Sequence, residues 1–183
     1  MPISSQFREQ IIAAIPGLRA FGLSLTARGD RADDLVQETL MKAWKHHDSF
    51  EEGSNMKAWL YTILRNEFYT QLRKRKREVE DADGFYSNKV AVHAEQDGHL
   101  DMADLRVALA KLPEDQREAI ILVGASGFSY EEAAEICSVA VGTIKSRVNR
   151  ARARLAVLLH IGENERFGPD ANSEAILSHA QRN

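Results

Sequence analysis

Residues 128–159 read FSYEEAAEICSVAVGTIKSRVNRARARLAVLL and contain two helical patterns separated by a tight turn. Ser129 is a good N-cap for the first helix, and Glu132 three positions later completes a capping box. After the turn at 138–140, apolar residues recur at spacings of three and four and form one seam. The members of that seam are Val141, Ile144, Val148, Ala151, Leu155 and Leu158. The stretch therefore predicts a helix-turn-helix.

The opposite face of the second helix is polar and basic and contains no acidic residue. We interpret six residues of this face as DNA contacts: Thr143, Lys145, Ser146, Arg147, Asn149 and Arg150. Such side chains near the start of a helix suit a major groove, where they contact base edges while arginines hold phosphates. The alternative is an ordinary two-helix hairpin with a basic outer face. The joint occurrence of the capping box, the short turn and the acid-free helix favours DNA binding.

Helical spacing continues through the rest of the chain, and no segment alternates long enough to form a sheet. The predicted fold class is therefore all-α. We expect an N-terminal helix that Pro16 interrupts, a second helix that ends near Gly29, and a third with Asp30 as its N-cap. Asn55 is the expected cap of a fourth helix, which spans about residues 56–77.

The helical pattern fails between residues 78 and 98, a segment with scattered acidic residues and two glycines. A segment of this length and composition separates domains. We predict a first domain at residues 1–78, a flexible acidic linker at 79–99, a second domain at 100–160 and a polar tail at 161–183. We also expect the two domains to move independently in the free protein.

Composition narrows the functional class. The net charge is −3, yet basic residues cluster near residues 65–77 and 141–155, which suits local contacts with phosphates. The single cysteine, Cys137, excludes a disulfide framework and is expected to be buried. No catalytic, cofactor-binding or metal-ligand motif appears, so we expect no enzyme, cofactor or metal site. Without an export signal or a membrane span, we expect a cytoplasmic protein.

Two longer runs resemble a known family. Residues 30–44, DRADDLVQETLMKAW, and 50–77, FEEGSNMKAWLYTILRNEFYTQLRKRKR, resemble domain 2 of the extracytoplasmic-function (ECF) sigma factors of bacterial RNA polymerase. Residues 112–155, LPEDQREAIILVGASGFSYEEAAEICSVAVGTIKSRVNRARARL, resemble their domain 4. The linker and the first run resemble the EcfG-type general stress response factors of alphaproteobacteria. The resemblance implies two helical domains that read two promoter elements.

The resemblance also assigns roles to residues of the first domain. Asp34, Gln37, Glu38 and Met41 share one helix face by their spacing, and in the family this helix docks on a coiled coil of the polymerase clamp. The residues implied at the −10 element are Phe50, Lys57, Arg65, Asn66, Arg73 and Arg75. The six residues of the basic helix would read the −35 element.

The implied function is that of an alternative sigma factor that binds core RNA polymerase and promoter DNA, for a stress regulon. A small helical anti-sigma protein would wedge between the two domains, and the chain would be a monomer when free or form a 1:1 complex with that partner. Two alternatives stay open: a stand-alone helix-turn-helix regulator that binds duplex operators, and a sigma-mimicking interaction module.

Overall fold

The computed structural model describes residues 4–81 and 102–160. The first domain comprises α1 (Ser5–Thr26), α2 (Gly29–Lys45), a 3₁₀ turn (His47–Ser49) and α3 (Met56–Asp81). The second comprises α4 (Met102–Ala110), α5 (Glu114–Ile120), a π-helical turn (Ile121–Ala125), α6 (Tyr130–Cys137) and α7 (Val141–Leu158). The described residues form helices and no strand, which confirms the all-α fold. The linker beyond residue 81 and the tail lie outside them.

The predicted interruption at Pro16 is wrong, because α1 runs unbroken through this residue. Proline removes one helical hydrogen bond and leaves the carbonyl four residues back without its donor. That carbonyl belongs to Ile12, which is exposed, so water can take the place of the missing donor. Buried Ile11 and Leu18 anchor the helix to the core on both sides of the proline.

Of the three N-caps predicted from the sequence, two are present in the structure. Asp30 is not an N-cap, since α2 begins one residue earlier and Asp30 pairs with Arg28 from the first helical turn. Asn55 caps α3 as predicted, because its Oδ1 accepts a hydrogen bond from the Ala58 N–H at 3.1 Å. The capping box of α6 is also present, with both Ser129–Glu132 hydrogen bonds formed.

Three helices enclose the core of the first domain. Leu18, Leu35 and Leu60 are fully buried at its centre. The Phe21 and Tyr61 rings stack at 4.9 Å between α1 and α3. Close approach of these helices requires Gly17, because a Cβ atom there would lie 2.8 Å from the Tyr61 hydroxyl oxygen.

We therefore expect Gly17→Ala to lower the free energy of unfolding by about 1–3 kcal/mol, the usual range for overpacking a core. Tyr61 cannot simply rotate away, since its ring is buried and stacked. Gly29→Ala is the matched control, because no atom lies near a Cβ at that position. Thermal or urea unfolding of both variants measures the difference. Equal stabilities would contradict the close approach of the two helices at Gly17.

The apolar seam of the second domain is formed as predicted. Ile144, Val148, Ala151 and Leu155 are buried against the other helices, and a turn at Ser138, in the left-handed region with φ of 54°, separates α6 from α7. The π-helical turn lets the chain leave α5 and place Phe128 in the interior. The helix-turn-helix is thus confirmed as a structural unit.

The two domains share one hydrophobic core, so in this arrangement they pack against each other and are not held apart by the linker. Phe128 of the second domain inserts against Tyr61 of the first, with ring centroids 4.9 Å apart. Helices α1 and α3 also contact α5 and α6. No local pattern predicts this packing, because each contact joins residues far apart in the chain. We call this packing the closed arrangement.

Candidate nucleic-acid interface

The face of α2 that carries the predicted polymerase-binding residues is open to solvent in the closed arrangement. Asp34, Gln37 and Met41 are exposed and Glu38 is half-buried. All four line a shallow depression that α3 completes with Glu67 and Gln71. The structure therefore brings these four residues together on one accessible surface, which we call the α2 stripe.

A separate cavity of about 270 Å³ opens between the end of α2 and α3. Trp59 and Ile63 form its apolar wall, and Asn66 lies exposed at its edge. The remaining lining residues are polar: Lys42, His46, Ser49, Glu67 and Thr70. An aromatic wall beside hydrogen-bonding side chains can hold an unstacked base. We call this cavity the α3 pocket.

Phe50 supports the wall of the α3 pocket and is not a free platform. Its ring packs against Phe7 and Trp59, with centroids 5.8 and 5.2 Å away. Trp59 is half-buried, so one part of its ring packs against the core and another forms the wall of the pocket. In this arrangement the Phe50 ring therefore does not offer a free face for a base, and its predicted −10 role stays a prediction.

The other predicted −10 residues of α3 divide between two faces. Asn66 lies at the α3 pocket, whereas Lys57 and Arg65 lie on a face that packs against the second domain. Lys57 donates to the Ser126 carbonyl, and its ammonium lies 4.8 Å from the centre of the Phe128 ring. These two basic side chains are thus engaged by the second domain.

A buried ion pair joins Arg65 to Glu118. The Arg65 Nε donates to the Glu118 Oε1 at 2.7 Å, and the carboxylate is fully buried. Tyr69, one turn further along α3, donates weakly to the same carboxylate at 3.4 Å. Sequence reasoning missed Glu118, because the run Gln-Arg-Glu at 116–118 reads as an ordinary solvated helix face.

A second carboxylate links the two domains through their helix caps. The Asn55 Nδ2 donates to the Glu132 Oε1 at 2.7 Å, while the Glu132 Oε2 accepts from the Ser129 N–H at 2.8 Å. The backbone hydrogen bond from Ser129 holds the pKa of Glu132 below its usual value. One side chain therefore completes the cap of α6 and touches the cap of α3.

The basic face of α7 points away from the seam. Lys145, Asn149 and Arg150 are exposed, and Thr143 and Ser146 are half-buried near the start of the helix. Arg147 differs, because its Nε pairs with the Asp115 carboxylate of α5 at 3.2 Å. The six predicted −35 residues thus lie on one surface, on which Arg147 is partly committed to packing.

Basic residues at the end of α3 extend this charge pattern in the first domain. Arg73 is exposed, and Arg75 is half-buried with its Nε directed at the Gln71 carbonyl at 3.4 Å. Cys137 is buried beside Glu118, as predicted, and burial raises the pKa of its thiol to about 12. At neutral pH this thiol is therefore protonated and unreactive.

No helix in the described part of the chain has both the length and the apolar character that crossing a bilayer requires. Within those same residues, no cluster of three or more His, Cys, Asp or Glu side chains is arranged to hold a metal ion.

Comparison with known families adds two matches. Residues 12–78 match Sigma-70 region 2, and residues 102–155 match Sigma-70 region 4. Among curated proteins, the ECF RNA polymerase sigma factor EcfG of Rhodopseudomonas palustris is 58% identical over 177 residues, which cover 97% of this chain and 98% of the relative.

Solved structures agree with these matches. The sigma factor RpoE, in its complex with the anti-sigma factor NepR from Bartonella quintana, is 59% identical and superposes with a TM-score of 0.79 over 87% of this chain and 100% of its own. CnrH in complex with the cytosolic domain of CnrY is 25% identical, with a TM-score of 0.62 over 84% of this chain and 87% of its own. The RpoE match extends over both domains, so their packing is similar in the two chains.

Proposed function

The chain belongs to the ECF sigma factors of RNA polymerase and is of the EcfG type, and from this premise we propose how its surfaces carry out promoter recognition. Sigma factors bind core polymerase and direct it to promoters. This role consists of binding and positioning, not catalysis. It places the protein in the cytoplasm, with the polymerase and the DNA.

The observation that carries the assignment of surfaces is the presence of two nucleic-acid features on two domains. The α3 pocket has the parts that hold an unstacked base, and the basic face of α7 has the parts that enter a major groove. A promoter with a melted −10 element and a duplex −35 element requires one surface of each kind. We assign the α3 pocket to the first and α7 to the second.

Polymerase binding falls to the α2 stripe. Its exposed carboxylate and amide groups surround Met41, whose side chain is 60% exposed. An acidic surface with an apolar centre complements a basic helical surface such as a coiled coil. The stripe lies apart from the contacts between the domains, so polymerase can make its first contact there before the domains separate, and the open form completes the binding.

The closed arrangement limits DNA binding. Lys57 and Arg65, which would hold the −10 strand, are occupied by Ser126 and Glu118 of the second domain. These two side chains become free for phosphates when the domains separate. The closed arrangement is therefore the inactive one, and opening releases Lys57 and Arg65 to complete the −10 surface.

An anti-sigma protein is the partner that this arrangement fits. RpoE adopts a similar packing of its domains in the complex with the anti-sigma factor NepR. A helical partner that touches both domains would hold them together, because binding the closed form alone shifts the equilibrium towards it. Control by such a partner, in a 1:1 complex, is consistent with a chain whose second domain engages the Lys57 and Arg65 side chains of the first.

Transcription reconstituted from purified core polymerase and this chain tests the function. We expect initiation only when both are present and only on promoters with both elements. A stand-alone regulator would instead bind duplex operators without polymerase, and a sigma-mimicking module would bind neither DNA element. Either result would replace the sigma-factor assignment.

The α3 pocket gives a sharper prediction. Asn66→Ala should weaken capture of the melted −10 strand by about tenfold, the loss expected for one base contact. Permanganate reactivity of unpaired thymines in the polymerase–promoter complex measures strand opening. Gln10→Ala removes an exposed amide from α1 and serves as the control. Equal opening by the two variants would remove the pocket from the −10 assignment.

A further inference from the structure

Helix α5 removes three consecutive polar side chains from water. Gln116, Arg117 and Glu118 are 5%, 8% and 0% exposed. Burying a charged group is costly unless a partner of opposite charge compensates it. Glu118 has such a partner in Arg65 across the domain interface. Arg117 is the neighbouring residue, and its situation is different.

Arg117 lies at the contact between α5 and α1, and among the described residues no carboxylate forms an ion pair with it. Its Nη2 donates to the Leu25 carbonyl at 3.5 Å, the outer limit for a hydrogen bond. Its Nε is buried and has no hydrogen-bond partner in the described structure. Burial accordingly lowers the pKa of the guanidinium, against a smaller opposing effect of Glu114. The closed arrangement thus contains a poorly compensated cation at its domain interface.

We propose that Arg117 is a release element, whose burial destabilises the closed arrangement and keeps domain opening reversible. Separation of α5 from α1 returns the guanidinium to water, where its charge is fully solvated. The neighbouring Glu118 acts in the opposite direction, because separation breaks its ion pair with Arg65. Two adjacent residues on one helical turn therefore oppose each other in setting the population of the closed form.

This balance matters for the proposed function, on which the inference rests. A polymerase or promoter that binds the open form loses apparent affinity in proportion to the closed population. If every contact stabilised the closed form, binding of core polymerase would shift the equilibrium towards the open form only weakly. Arg117 lowers the stability of the closed form without removing the contacts that make closure specific.

Replacing the charge tests the proposal. Arg117→Met has similar length and no charge, and Arg117→Gln is a shorter neutral variant in case the first fails to fold. Both should shift the ratio of closed to open forms about tenfold towards the closed form, as expected from removing one uncompensated buried charge. Arg106→Met is the control, because Arg106 is exposed on α4.

The native thiol provides the readout. Cys137 is the only cysteine of the chain and is buried beside Glu118 at the domain interface. Its alkylation by iodoacetamide under native conditions should therefore follow the open population. We expect alkylation about tenfold slower in both Arg117 variants, in line with the shift in population, and unchanged in Arg106→Met. Equal or faster alkylation in a folded Arg117 variant would overturn the proposal.

Affinity for core polymerase is the second readout. Arg117→Met should weaken it, and adding Phe128→Ala in the same chain should restore it, because loss of the Phe128 ring opens the interface from the other side. If Phe128→Ala does not restore the affinity and alkylation is not slowed in the Arg117 variants, Arg117 has only a packing role. If the unmodified chain did not bind core polymerase, the proposed function would fail, whereas the alkylation rates would still test Arg117.

Discussion

Charge reversal of Asp34 and Glu38 to lysine is expected to abolish binding to core polymerase. Both side chains belong to the α2 stripe, and lysines there would face a basic docking surface with like charge, which costs several kcal/mol. Stability should change little, since substitutions on a helix surface usually alter it by about 0.5 kcal/mol or less. Affinity for core polymerase and thermal unfolding separate the two effects.

A matched control carries the same charge change elsewhere. Glu9→Lys with Glu135→Lys alters net charge by the same amount at exposed positions on α1 and α6. This variant should bind core polymerase as the unmodified chain does. Unchanged affinity of the Asp34 and Glu38 variant would show that polymerase docks on another surface.

The second large effect concerns the −35 element. Lys145→Ala with Asn149→Ala should reduce −35-dependent initiation by at least about tenfold for each base-edge hydrogen bond that the substitution removes. Both side chains are exposed on the basic face and have no role in the seam, so folding should be preserved. Arg147 is less suitable for this test, because its pair with Asp115 also supports the packing of α7 on α5.

Initiation measured on promoters with altered −35 sequences distinguishes two kinds of interaction. Removing a hydrogen bond to a base relaxes specificity at one position, whereas removing a phosphate interaction weakens all promoters equally. Lys111→Ala, an exposed change just after the end of α4, is the control. Normal initiation by the double variant at every promoter would mean that α7 is not the recognition helix.

The helices and their faces were predictable from local sequence. The seam of α7, the caps at Asn55 and Ser129, and the α2 stripe depend on spacings of three or four residues and on side chains within one turn. Local rules suffice there because both partners of each interaction lie close together in the chain. The rules failed at Pro16, where burial on both sides of the proline outweighed the missing hydrogen bond.

The sequence by itself determined the fold class and the helix-turn-helix, and it predicted the residues that would contact polymerase and DNA. Only the tertiary structure decided which of those residues are free. Arg65 and Lys57 read as DNA-binding cations in the sequence, but Glu118 and Ser126 engage them in the closed arrangement. Arg65 and Glu118 lie 53 residues apart. The polar run 116–118 becomes buried only when the two domains pack together. Local sequence patterns cannot predict this burial, because the contacts that cause it join residues far apart in the chain.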